Sequence, residues 1–113
     1  MAPKTEVDLH IYVNRNGRRF LAPSNIGVLR EIRSGGSLRT AAKTLNISYQ
    51  HIWDVVDEIN RRSSHPVVIK QRGGAGGGGA ALSEYGKQLL GEYQAIENEV
   101  RRFVRRLNTE INL

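Results

Sequence analysis

Val7, Leu9, Ile11 and Val13 alternate with Asp8, His10 and Tyr12, the two-residue period of a half-buried strand. Asn14 to Gly17 reads as a turn because Asn and Gly tolerate positive φ, and Arg18 to Ala22 returns as the second strand of a hairpin. The period then changes. Pro23 and Ser24 open a helix with Ser24 or Asn25 as its N-cap, and Ile26, Leu29 and Ile32, flanked by Val28, form one apolar face. Gly35-Gly36 stops it, since glycine enters the left-handed terminal conformation at least cost.

Ser37 caps a short second helix from Leu38 to Leu45, with Ala41, Ala42 and Leu45 directed inward and Asn46 as a left-handed exit. Ser48 caps a third helix, Tyr49 to about Arg62, whose Ile52, Val56 and Ile59 make one continuous stripe. Two helices joined by a tight turn, with small alanines at the crossing, form a helix-turn-helix. Val67 to Lys70 is a β-branched strand, and Ala80-Ala81-Leu82 follows the glycine run of residues 73–79. Strand, loop and strand make a hairpin appended to the helix pair, a wing. Ser83 caps a long last helix on which Leu89, Tyr93, Ile96, Val100, Phe103 and Leu107 recur at heptad-like steps.

This order predicts an α+β, mainly α, winged helix-turn-helix with an N-terminal β-hairpin, a glycine-rich wing and a long C-terminal dimerisation helix. The division expected is residues 1–82 for the winged unit, with the wing at about 67–82, and 83–113 for the dimerisation helix. The first turns after Leu82 lie over the domain. Beyond them the apolar stripe outruns so small a body, and a second copy of the chain covers it.

Charge adds a partner class. In 113 residues, 17 Lys and Arg stand against 11 Asp and Glu, a formal net charge of +6 that favours a polyanion. The absence of cysteine excludes disulfides and thiolate metal sites. His10, His51 and His65 fall in separate elements without metal-ligand spacing, and no nucleophile motif or paired-carboxylate pattern is present, so neither catalysis nor a metal nor a cofactor is expected. Met1 to Leu9 has no apolar core of a signal peptide and no apolar run spans a bilayer; a cytoplasmic location is expected, without membrane contact. Gly74, Gly76 and Gly79 formally match G-x-G-x-x-G, but neither a directly following helix nor the second half of a dinucleotide fold accompanies them.

With Ile52, Val56 and Ile59 packed inward, the third helix leaves Tyr49, Gln50 and His51 at its outer N-terminal surface, where Gln pairs with adenine and His or Tyr donates to guanine or phosphate. Asp54 repels phosphate unless it meets a cytosine amino group, and is read as structural; Trp53 is read as partly buried against the first helix. Lys70 and Arg72 flank a wing whose bare backbone at Gly74 and Gly76 approaches the sugar-phosphate chain. Arg39 and Lys43 supply phosphate attraction.

The stretches Gly36-Ser37-Leu38-Arg39-Thr40-Ala41-Ala42 and Ile47 to Asn60, the latter with its I-S-Y-x-x-x-W-D pattern, resemble the N-terminal domain of the ModE family. So do the glycine run and Leu82-Ser83-Glu84-Tyr85-Gly86. The resemblance runs from about Val7 to Tyr93. These are molybdate-responsive transcription regulators with a LysR-like winged helix-turn-helix. The resemblance implies dimeric binding of double-stranded DNA through Ser37, Arg39 and Thr40, through Ser48, Tyr49, Gln50 and His51, and through Lys70 and Arg72. Ala75 stands where that family's wing usually carries a Lys. Full-length members continue into oxyanion-binding domains; a stand-alone form is expected here, with no residue assigned to molybdate or tungstate. Two rivals have different consequences: an architectural protein coating DNA with little sequence choice, and a winged-helix module that docks proteins.

Overall fold

The computed structural model describes residues 4–35, 37–71 and 79–111. Two short strands, β1 (Val13–Arg15) and β2 (Arg18–Leu21), form a hairpin closed at Asn16 and Gly17, both with positive φ. Three helices follow, α1 (Pro23–Arg33), α2 (Leu38–Leu45) and α3 (Tyr49–Arg62). Strands β3 (Val68–Gln71) and β4 (Gly79–Leu82) pair antiparallel from Val68 opposite Leu82 to Gln71 opposite Gly79. Helix α4 (Glu84–Glu110) completes the described chain. The order is that of a winged helix, and the fold is α+β with helix predominant.

The apolar faces meet in one core. Ile26, Val28, Leu29 and Ile32 of α1, Leu38, Ala41 and Ala42 of α2, and Ile52, Val56 and Ile59 of α3 are all buried. Val67, Val68, Ala80 and Leu82 from the wing base join them, as do Leu89, Leu90 and Tyr93 of α4. An isolated bridge pairs Ser37 with Gly79, so the base of the wing is stitched to the entrance of α2. At the other corner, Ser83 caps α4 by accepting from the Gly86 N–H, and its hydroxyl donates to the carbonyls of Pro66 and Val67. A side chain at Gly86 would begin 2.2 Å from the Val67 carbonyl oxygen. Only glycine allows α4 and the chain entering β3 to touch there.

Three expectations change. The alternation from Val7 to Val13 produces a strand only from Val13; Val7 to Tyr12 is unpaired chain laid along α4. The Tyr93 hydroxyl donates to the Ile11 carbonyl at 2.9 Å, and the Asn108 amide bonds both the N–H and the carbonyl of Val7. Those side chains satisfy backbone groups that a ladder would otherwise have taken. The N-cap of α1 is Ala22, not Ser24 or Asn25. Pro23 is pre-set for the first helical position, which moves the cap back by one, and the Asn25 amide oxygen accepts from the Ala22 N–H at 2.8 Å. The seam of α4 also divides. Leu89 and Tyr93 are buried within this one chain and are not available to a partner, because they close the core over the hairpin. Ile96 and Phe103 remain exposed, and Val100 and Leu107 are half-buried.

Candidate nucleic-acid interface

The helix-turn-helix presents two capped helix entrances. Ser37 Oγ accepts from the Thr40 N–H at 3.1 Å and lies 3.0 Å from the Thr40 hydroxyl. Ser48 Oγ accepts from the His51 N–H at 3.0 Å. These hydroxyls are first of all helix caps, with Thr40 and Ser48 exposed and Ser37 half-exposed. Asn46, left-handed at φ 56°, turns the chain between the helices.

A column of side chains ties the two entrances to the wing. The Arg39 guanidinium of α2 lies 4.3 Å over the Tyr49 ring, and Tyr49 meets Trp53 edge-on at 6.1 Å. Trp53 in turn carries the Lys70 ammonium of β3 at 4.6 Å from its ring centroid. Lys70 is also paired with Asp57 at 3.3 Å. A shallow cleft of about 450 Å³ beside this column is lined by Arg39, Lys43, Asn46 and Tyr49 among others. Arg39, Lys43, Tyr49 and Lys70 therefore belong to one connected surface made by three elements, although they are far apart in sequence.

Gln50 projects from the first turn of α3 into solvent, its Nε2 donating to Asp54 at 3.0 Å. His51 departs from this group. It lines a separate groove of about 590 Å³ with Phe20, Val28, Val55, Glu58 and Arg62, on the flank of α3 that faces α1. Arg72, Gly74 and Gly76 lie outside the described residues, as does Ala75.

Trp53 is partly buried against the core, as expected, and its further contacts with Tyr49 and Lys70 were not foreseen. Helical spacing could have found the row Tyr49, Trp53, Asp57 at steps of four; no local signal announces that Lys70 lands on it. Asn60 was also missed. Its amide oxygen accepts from the Val67 and Val68 N–H groups at 2.8 and 3.1 Å, and its Nδ2 donates to the Val68 carbonyl at 3.0 Å. This one side chain fixes α3 to the base of the wing. Among the described residues, no group of three or more His, Cys, Asp or Glu side chains is placed to hold a metal ion, and no helix is long and apolar enough to cross a membrane.

No protein-family model matches the chain. Curated relatives do match. Over 92 residues it is 35% identical to the molybdenum transport protein ModE of Azotobacter vinelandii, covering 81% of this chain and 34% of that protein. Over 77 residues it is 40% identical to the DNA-binding transcriptional dual regulator ModE of Escherichia coli strain K12, covering 68% and 29%. The chain is a ModE homologue. The molybdenum-pterin-binding protein MopB of Rhodobacter capsulatus is 33% identical over 103 residues, 91% of this chain and 38% of its own. The chain thus spans roughly a third of the length of these relatives.

Proposed function

We propose that this chain is the DNA-reading unit of a transcription regulator, binding double-stranded DNA as a homodimer. Helix α3 enters the major groove with Gln50 selecting bases, and the wing follows the backbone or the minor groove. The observation that carries this reading is the Arg39–Tyr49–Trp53–Lys70 column, which aligns cations from α2 and β3 along the flank of an exposed α3 entrance. Backbone phosphates reward such a line of charge, and the neighbouring exposed Gln50 can exchange its bond to Asp54 for a base edge. The Escherichia coli relative, named a DNA-binding transcriptional dual regulator, supports the same class. His51, on the other flank, is left with a secondary part in base selection.

The homodimer is supported by the apolar side chains left exposed along α4 and the N-terminal segment: Leu9, Tyr12, Ile96 and Phe103. An inverted repeat with half-sites one turn of duplex apart requires the two recognition helices of such a dimer to lie about 34–36 Å apart. Molybdate and tungstate are assigned no site on the described residues.

Selection of bound fragments from genomic DNA gives the test. The wild-type chain should enrich an inverted repeat, and Gln50→Ala should lower preference for that site by about tenfold while weakening binding to random duplex by less than about twofold. Equal losses on both duplexes would remove Gln50 from base reading, and no enrichment by the wild type would reject a sequence-specific regulator.

A further inference from the structure

Two carboxylates stand on the side of α3 that a polyanion would approach, and the function proposed above gives them no part. Asp54 accepts the hydrogen bond of Gln50, and Asp57 holds the ammonium of Lys70. Each is thus occupied with a side chain assigned to DNA. Neither pair is sequestered from water: the Lys70 and Asp57 side chains are 56% and 46% exposed. Such exposed pairs add little to folding stability and open readily, so fold maintenance does not account for them.

Their effect on an approaching duplex is larger. Loose association with arbitrary sequence depends on the charge a protein turns toward the phosphates, because it is driven by released counterions. Asp57 subtracts from that charge at Lys70, and the Trp53 face keeps the ammonium beside it. Asp54 places a further negative charge next to Gln50. At a matching site the losses are recovered, since Gln50 exchanges a carboxylate for a base edge and Lys70 exchanges one for a phosphate in fixed register. At a mismatched site only the repulsion remains.

We infer that Asp54 and Asp57 are specificity-determining residues, carboxylates that hold Gln50 and Lys70 in the free protein and suppress association with non-cognate DNA more than with the cognate site. Discrimination here is built from an unfavourable element set against the wrong partner. The inference rests on the DNA-binding reading above.

The test uses the full chain, a fragment enriched by the wild type and a scrambled duplex of equal length. Asp54→Asn and Asp57→Asn keep an amide acceptor in place of each carboxylate and remove the charge. Both should tighten binding to the scrambled duplex by about threefold or more and tighten the enriched site less, so that the ratio of affinities falls. Asp57→Asn should also steepen the salt dependence on the scrambled duplex by about one unit, as Lys70 becomes available to a phosphate. Asp57→Glu, which restores the charge, should return the ratio to that of the wild type. A purely structural role would weaken both duplexes together and lower the melting temperature, and that outcome overturns the inference. An unchanged ratio in either Asn variant removes that residue from it. Wild-type protein that binds neither duplex defeats the functional reading and this inference together, whereas wild-type discrimination that survives both substitutions defeats this inference alone.

Discussion

Tyr93 shows how much one residue can join. Its ring is 2% exposed in the core, and its hydroxyl donates to Ile11 of the N-terminal segment. Burial pushes its ionisation above the ordinary tyrosine value of about 10, with Glu97 and Tyr12 adding to the shift and Arg30 opposing it. The folded state therefore keeps the proton longer than the unfolded chain. Its contribution is whole below about pH 10 and is lost as the pH rises through the higher folded value. Tyr93→Phe should cost about 1 kcal/mol at pH 8 through the lost hydrogen bond. It should also shrink the fall in melting temperature between pH 9 and 11, followed by circular dichroism; a fall as steep as that of the wild type would rule out Tyr93 as its source. Much at this scale was legible beforehand. Ser37, Ser48 and Ser83 cap the helices expected, and Asn46 is left-handed, because each of these choices is made by a residue and its immediate neighbours. Asn25 misled only in its position, since the fixed φ of Pro23 decides where α1 starts.

Among elements, the joint between α3 and the wing is the least local and the least visible in the sequence. Asn60 makes it with three hydrogen bonds to Val67 and Val68. Asn60→Ala should destabilise the fold by about 2–3 kcal/mol, because partly buried backbone groups lose their partner. Amide hydrogen exchange at Val67 and Val68 should rise more than at Ile52 or Val56; uniform acceleration would show that the joint is not a separate unit. The Val7 to Val13 alternation is the complementary lesson. Periodicity reports that one side of a segment is covered but not by what, and here a helix does the covering in place of a second strand. The same limit applies to the column Arg39, Tyr49, Trp53 and Lys70. Tyr49 and Trp53 share a readable spacing on α3, while the arrival of Arg39 and of β3 beside them depends on α2 and the base of the wing being docked.

At the scale of the molecule, the heptad-like steps of α4 do not reveal where the core ends. Leu89 and Tyr93 belong to it; Ile96 and Phe103, each 43% exposed, lie beyond it. The proposed homodimer must therefore use the distal part of the helix. Phe103→Glu should convert it to monomer in sedimentation equilibrium while changing the stability of the isolated fold by no more than about 0.5 kcal/mol. A dimer that persists in both Phe103→Glu and Ile96→Glu would place the interface elsewhere. The winged order and the core could be read from the sequence because each helix carries its own apolar face. The extent of the free surface could not, since it depends on the N-terminal segment lying against α4.

That segment also imposes an order of assembly. The contacts of Ile11 with Tyr93 and of Val7 with Asn108 join residues 82 and 101 positions apart. A ribosome delivers Val7 and Ile11 before any of α4 exists. Throughout synthesis of the helix-turn-helix and the wing, Val7 and Ile11 have no α4 to settle on, and contacts of such long sequence separation form late because the intervening loop must first be closed. A segment made before the four helices is among the last to dock.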